Sequence, residues 1–228
     1  MKIKFLLWYV FFSLWLMGCR DAESAIDYKQ NVSVRLSMDA ATTRGVSALP
    51  AVDGYHLRYV LGIYKQNEAD GTLTLIQRIP QTTPDFNLDL ATDETFTLVA
   101  WADFVSSRTD NSTLTSVEDE FYNTQSLQNV SIIKEKWILN TPARDAFCAK
   151  AADVTSSALQ VTMTLKRPFA LMNVKGSYAG VQSAKVTYPS VYTAYDVTKG
   201  DITGTASEQI LSSKTLSADA NQVLIFDY

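Results

Sequence analysis

The chain has few of the residues from which enzyme active sites and metal sites are usually built. Its 228 residues include one histidine, His56, and two cysteines, Cys19 and Cys148. The nine glycines form no P-loop, Gly-x-Gly-x-x-Gly or Gly-x-Ser-x-Gly motif, and no metal-ligand spacing such as Cys-x-x-Cys is present. A lone histidine with no orienting carboxylate in its local pattern does not suggest a general base, and an exposed structural role is expected for it. The sequence therefore predicts no catalytic residue, no metal site and no cofactor.

The chain also has no strong excess of either charge. Twenty basic and 24 acidic residues give a net charge of −4, and no long run of Lys or Arg occurs. Because nucleic-acid binding depends on clustered basic residues, no nucleic-acid partner is expected. The densest acidic cluster, residues 118–120, is interpreted as the solvated first turn of a helix, where carboxylates are favoured. Cys148 lies among apolar neighbours, which favours a packed thiol over a reactive one.

The N-terminus has the order of parts of an export signal. Lys2 and Lys4 precede an apolar run over residues 5–17, and Gly18 and Cys19 follow it. Thirteen helical residues rise only about 20 Å, too little for a permanent membrane span. The segment 16–19, Leu-Met-Gly-Cys, resembles the lipobox of bacterial lipoproteins, in which the cysteine is acylated and becomes the first residue. An ordinary signal peptide with a chance cysteine is the alternative.

The expected organisation is a signal peptide at 1–18, a flexible tether at 19–30 and one β-sandwich domain at 31–228. The lipid on Cys19 would hold the protein at the cell outer membrane. The period of two that marks half-buried strands occurs in Val32, Val34, Leu36 and Met38, and again within 55–63, 86–90 and 159–165. Residues 55–79 are predicted to form a β-hairpin with its turn at Asp70-Gly71.

Further strands complete the predicted all-β fold. Residues 95–104 and 169–174 are apolar on both faces, which indicates central strands, and 184–188 and 223–226 are also predicted as strands. Roughly nine strands favour a sandwich or barrel over βαβ units. Short helices are expected only in the long connection before residue 159, near 116–127 and 143–152.

Five short segments together resemble the fimbrillin superfamily, the pilins and Mfa-like anchor lipoproteins of Bacteroidetes. They are Thr-Thr-Arg-Gly at 42–45, Phe-Thr-Leu-Val-Ala-Trp-Ala-Asp at 96–103, Ala-Arg-Asp-Ala-Phe at 143–147, Leu-Lys-Arg-Pro-Phe-Ala at 165–170 and Leu-Ile-Phe-Asp-Tyr at 224–228. The resemblance implies a transthyretin-like Greek-key β-sandwich. It also implies a subunit or anchor of a surface fimbria, with other fimbrial subunits as partners. The second sandwich that often follows in the family is absent from this sequence.

The resemblance further implies assembly by strand exchange. In related pilins an arginine-specific protease removes the first strand, and a strand of the next subunit fills the groove. Arg44 matches that cleavage site, and the strand released would carry Val32, Val34, Leu36 and Met38. The same alternation suits the first strand of any sandwich, and Arg44 also fits a solvated loop residue, so an uncleaved anchor stays open. The alternative function is a surface glycan-binding lipoprotein, with Trp101, Trp137 and exposed tyrosines as the platform.

Overall fold

The computed structural model describes residues 28–38, 52–106, 117–138, 141–170, 172–176, 184–206, 209–213 and 222–227. Within these ranges the chain forms fifteen β-strands and two 3-10 turns, and it has no α-helix. The all-β class predicted from the sequence is therefore confirmed. Both turns, Lys134–Lys136 and Pro142–Arg144, lie in the long connection between the strands Thr95–Ser106 and Ala146–Thr155. The strands are β1 (Lys29–Met38), β2 (Tyr55–Gln66), β3 (Leu73–Gln81), β4 (Asp85–Ala91), β5 (Thr95–Ser106), β6 (Tyr122–Asn123), β7 (Val130–Ile132), β8 (Ala146–Thr155), β9 (Gln160–Leu165), β10 (Met172–Gly176), β11 (Ala184–Tyr188), β12 (Val191–Asp196), β13 (Asp201–Ala206), β14 (Gln209–Ser213) and β15 (Gln222–Asp227).

Two sheets form the sandwich. One has the order β4-β1-β9 and the other the order β3-β2-β5-β8. Their facing sides share one apolar core, because alternate residues of each strand point inward. β1 contributes Val32, Val34 and Leu36 to this core, and β4 contributes Phe86, Leu88 and Leu90. The other members come from β2, β5, β8 and β9: Leu61, Ile63, Phe96, Leu98, Ala100, Ala102, Phe147, Val154, Met163 and Leu165.

The opposite face of the β3-β2-β5-β8 sheet is also covered. Val99 and Trp101 of β5 and Val60 and Tyr64 of β2 point away from the sandwich core into a second apolar cluster. The connection after β5 supplies the cover, with Phe121, Tyr122, Leu127 and Val130. The apolar character of both faces of β5 is thereby explained. The prediction that β2 has one wet face was wrong, because a layer that is distant in sequence buries its second face.

Three smaller sheets complete the described chain. β13, β12, β7 and β6 form a four-stranded antiparallel sheet next to the second cluster, while β10 pairs with β15 and β11 with β14. The expected strands at 184–188 and 223–226 are confirmed as β11 and as part of β15. The strand expected over 169–174 begins only at Met172.

The helices expected near 116–127 and 143–152 are not formed. Ala146–Thr155 is strand β8, which pairs with β5 from Ala146 opposite Asp103 to Thr155 opposite Thr95. Its alanine-rich sequence favours a helix locally, but pairing with a long buried strand overrides that preference. Within the first stretch, residues 117–127 form turns and the short strand β6. The acidic cluster at 118–120 therefore does not begin a helix.

The predicted hairpin is confirmed as β2 and β3, which pair from Tyr59 opposite Gln81 to Gln66 opposite Leu73. Gly71 has a φ of +72°, a conformation that glycine adopts without strain. The turn is closed by hydrogen bonds between backbone groups of Asn67, Gly71 and Thr72. Thr72 also donates its backbone N–H and its hydroxyl to Asp70 Oδ1, at 3.0 and 2.7 Å. These bonds lower the pKa of Asp70.

Candidate strand-exchange site and aromatic groove

The first strand is the middle strand of its sheet. β1 runs antiparallel to β4, with Val32 opposite Leu88 and Val34 opposite Phe86. On its other side it runs parallel to β9, with Leu36 opposite Met163. Neighbouring strands lie about 4.8 Å apart, so β4 and β9 stand about 10 Å apart with β1 filling the gap. Without β1, two strand edges would face each other across a space that fits one strand.

The side chains predicted for the exchanged strand all belong to the sandwich core. Val32 and Val34 are fully buried, Leu36 is 4% exposed, and Met38 is partly buried against the same cluster. The outward face of β1 makes weaker contacts. Arg35 Nε lies 3.7 Å from Asp85 Oδ1, and both side chains are more than half exposed. The inward face therefore provides most of the binding energy of this strand, because exposed ion pairs contribute little.

Arg58 forms a buried ionic network beneath the connection that follows β5. Its Nε and Nη2 donate to the two carboxylate oxygens of Asp103, at 2.9 and 2.7 Å, and both side chains are fully buried. Its Nη1 donates to Asp119 Oδ1 at 2.7 Å and to the Val117 carbonyl at 2.9 Å. Burial lowers the pKa of Arg58, but the two aspartates more than offset this and the net pKa is raised. The guanidinium is therefore charged, and it joins β2 to β5 through Asp103 and the sheet to the connection through Val117 and Asp119.

Asp119 links the network to the next part of the connection. It accepts hydrogen bonds from the Thr124 backbone at 3.1 Å and the Thr124 hydroxyl at 2.7 Å. Arg78 of β3 donates to the carbonyl and hydroxyl of Thr124, at 2.8 and 2.7 Å. Burial raises the pKa of Asp119, but the bonds from Thr124 and Arg58 outweigh it and the net pKa is lowered. The acidic cluster thus anchors a loop, which its sequence pattern did not indicate.

Two of the segments that carry the family resemblance, 143–147 and 165–170, meet at one corner of the sandwich. Arg167 donates two hydrogen bonds to the carboxylate of Asp145, and its guanidinium lies 5.4 Å from the centre of the Phe147 ring. The backbones of Cys148 and Lys166 exchange hydrogen bonds at 2.8 and 2.9 Å, which joins β8 to the end of β9. Their charged residues bond to one another inside the fold, so the corner has a structural role.

His56 and Cys148 both lie on strands of the β3-β2-β5-β8 sheet and are partly buried. His56 is half-buried on β2, so the exposed position expected for it was wrong. Cys148 is a free thiol, and burial raises its pKa to about 11. Among the described residues, no group of three or more His, Cys, Asp or Glu side chains is arranged to hold a metal ion.

An open groove of about 430 Å³ lies between β12 and the residues that follow β9. Trp101 and Trp137 both line it, and Tyr122, Phe169, Tyr192 and Tyr195 are among the other lining residues. Trp101 is only 1% exposed, so it is not the exposed platform that was expected, whereas Trp137 is half-buried. The structure therefore brings together two tryptophans that the sequence singled out, but on the floor and wall of a groove.

Two predicted sites, Cys19 and Arg44, lie outside the described residues. β1 begins at Lys29, two residues inside the expected tether. Among the described residues there is no helix with the length and apolar character needed to cross a membrane.

Comparison with known proteins places the chain in a family. Residues 23–228 match the model of a family of unknown function (DUF6562). The chain belongs to the DUF6562 family. The match begins four residues after Cys19 and includes β1, Arg44 and the residues that line the groove. No curated protein matches the chain.

Proposed function

We propose that this DUF6562 protein is a non-enzymatic surface lipoprotein, a subunit or anchor of a fimbria, that assembles by exchange of its first strand. Lipid on Cys19 would hold it at the outer membrane, and other fimbrial subunits would be its partners. The observation that carries the proposal is the position of β1, which is the middle strand of a sheet and is paired on both sides. β1 also lies N-terminal to Arg44, so a cut after Arg44 would leave it held by non-covalent contacts alone.

The energetics favour replacement of β1 over its simple loss. Val32, Val34 and Leu36 are each buried, and burying such a side chain contributes about 1.5–3 kcal/mol. Loss of β1 would also expose the paired edges of β4 and β9. An incoming strand with apolar residues at alternate positions restores both the core contacts and the main-chain hydrogen bonds. After cleavage, β1 therefore stays bound by non-covalent contacts until another strand replaces it.

The experiment compares the full chain with an Arg44→Gln variant after treatment with an arginine-specific protease. Cleavage after Arg44 and laddered oligomers that resist dissociation are expected for the unmodified chain, and neither for Arg44→Gln. Arg35→Gln serves as the matched control, because Arg35 is an exposed arginine on β1 itself, and it should polymerise normally. A cleaved chain that stays monomeric even with partner subunits contradicts strand exchange.

Lipidation is tested separately with Cys19→Ser. The unmodified chain should incorporate labelled palmitate in cells and fractionate with the outer membrane, and the variant should do neither. If Cys19→Ser still carries the label, the anchor is elsewhere. If the unmodified chain is exported without label, it has an ordinary signal peptide. Neither result affects the strand-exchange test, which uses purified protein.

A further inference from the structure

The groove is built on a fixed aromatic floor. The ring of Tyr122 lies 5.3 Å from that of Trp101 in an edge-on arrangement and 6.0 Å from that of Phe169 in a stacked one. The Tyr122 hydroxyl donates a 2.6 Å hydrogen bond to the Arg144 carbonyl. The Arg144 guanidinium in turn lies 4.7 Å from the ring centre of Trp137, and Arg144 is 2% exposed. The rings are thus held in place before any ligand arrives, which reduces the entropy lost on binding.

The lining is uncharged but carries hydroxyl groups. Of the described residues around the groove, none has a charged side chain. Tyr188, Ser190, Tyr192, Thr193 and Tyr195 carry hydroxyls. The Tyr188 hydroxyl donates to Met172 Sδ at 3.6 Å and the Tyr195 hydroxyl bonds with Cys148, so the hydroxyls of this set outside these bonds belong to Ser190, Tyr192 and Thr193. Burial raises the pKa of Tyr195 to about 12, so its hydroxyl is neutral at physiological pH. Among these lining residues a phosphate, a carboxylate or an ammonium group would find no opposite charge, and Arg144, which packs against Trp137, is almost completely buried, so the site suits a neutral ligand.

The open side of the groove argues against a purely apolar ligand. Tyr192 is 55% exposed and Ile202 is 48% exposed at the rim. An acyl chain lying in such a groove would keep much of its surface in water and gain little from binding. A ligand with apolar faces and polar edges loses less, because its edges can stay hydrated.

The pairing of β12, which forms one side of the groove, disfavours addition of a peptide strand to β12. β12 is paired with β13 along its length, and on the other side Ala194 and Tyr195 are paired with β7. Within the described part of the chain, residues 191–193 and Asp196 of β12 have no strand partner on that side, so the longest unpaired run is three residues. Three residues are fewer than the usual strand of five or six, so a peptide would gain few main-chain hydrogen bonds.

We infer that the groove binds a neutral glycan, with uncharged pyranose rings stacked on Trp137 and Tyr192 and their hydroxyls bonded to the groove's hydroxyl side chains. A pyranose ring has apolar C–H faces and hydroxyl edges, the combination that the lining matches. The volume of about 430 Å³ is within the usual range for small-ligand sites. This binding function goes beyond strand exchange and does not depend on it, since the groove lies on the other side of the β3-β2-β5-β8 sheet from β1.

Tryptophan fluorescence can report ligand binding in the groove directly. The sequence has four, and Trp8 and Trp15 lie in the predicted signal segment, so both of the others line the groove. The full chain with Trp8→Phe and Trp15→Phe is titrated with maltotetraose, cellotetraose, mannotetraose and tetra-N-acetylchitotetraose, and with tetragalacturonate as the charged probe. A saturable change in fluorescence is expected with at least one neutral tetrasaccharide and none with tetragalacturonate.

Two variants locate the binding. Tyr192→Ala should weaken the affinity about tenfold through loss of a stacking ring. Tyr28→Ala should leave it unchanged, because Tyr28 is 65% exposed but lies outside the groove. Trp137→Phe, which keeps an aromatic ring, should retain measurable but weaker binding. Saturation by none of the neutral sugars, saturation by tetragalacturonate alone, or full affinity in Tyr192→Ala overturns the inference. Saturation by an apolar heptapeptide but by no sugar also overturns it, and assigns the groove to a peptide.

Discussion

Arg58 and Asp103 stand directly opposite each other on β2 and β5, and both side chains are completely buried. Through Arg58 the pair connects the outer face of the β3-β2-β5-β8 sheet to the loop that covers this face. A buried pair of this kind adds little net stability compared with apolar residues, but removal of one partner leaves the other charge uncompensated. The network therefore makes the fold sensitive to single substitutions far from β1.

Arg58→Met should lower the free energy of unfolding by about 3–5 kcal/mol, because Asp103 and Asp119 would lose their shared cation. Arg35→Met removes an equally large cation whose partner, Asp85, is exposed, and should cost less than about 1 kcal/mol. Urea denaturation of both variants measures the difference. Equal losses in the free energy of unfolding would contradict the expectation that a buried ion pair is more sensitive than an exposed one to removal of its cation.

Protonation of Asp119 in acid should lower the free energy of unfolding. Its pKa is lowered in the folded state, so its contribution is present above the ordinary aspartate pKa of about 3.9 and is lost as the pH falls through the folded value. Asp119→Asn should therefore be less stable than the unmodified chain at pH 7, with the gap narrowing toward pH 2. Urea midpoints across this range test the prediction, and a gap that stays constant would contradict it.

The buried side chains of β1 should contribute most of the free energy that holds this strand in the sheet. Leu36→Ala should cost about 2–5 kcal/mol, because Leu36 is 4% exposed in the sandwich core. Gln30→Ala, an exposed change on the same strand, should stay within about 0.5 kcal/mol. Thermal unfolding of the uncleaved chain compares them. If the two variants have the same melting temperature, β1 is not an integral part of the core.

Cys148 should behave as an inert thiol. Its pKa of about 11 implies that a Cys19→Ser chain reacts with a disulfide reagent at pH 8 roughly a hundredfold more slowly when folded than in denaturant. The absorbance change of the released aromatic thiol measures both rates. Similar rates in the two states would mean that the thiol is open to solvent.

The strands of the sandwich could largely be predicted from the sequence, because their signal is local. The alternation in Val32 to Met38 and in Phe86 to Leu90 reports which face each strand buries, and the Asp-Gly pair reports the turn of the hairpin. The alanine-rich strand β8 could not be predicted in this way. Its conformation depends on pairing with β5, which lies more than forty residues earlier.

The buried ionic network was missed for a related reason. Arg58 alternates with Leu57 and Tyr59 and looks like part of a solvent face, and the cover over it comes from residues 117–130. One signal was available, since Asp103 interrupts an otherwise apolar strand that is expected to be central. A charge in such a strand requires a partner of opposite sign. For the groove, the sequence indicated the two tryptophans but could not indicate how the aromatic residues are arranged.

Replacement of β1 by an added strand is the most direct test of strand exchange. Chain cleaved after Arg44 is incubated with a labelled peptide of residues 29–38, and the complex is weighed by native mass spectrometry. A control peptide carries Val34→Ser and Leu36→Ser, which removes two of the buried side chains. The account predicts a one-to-one complex in which the labelled peptide replaces the original β1, and no replacement by the control. A cleaved chain that keeps its own β1 under these conditions, or takes up both peptides equally, would contradict it.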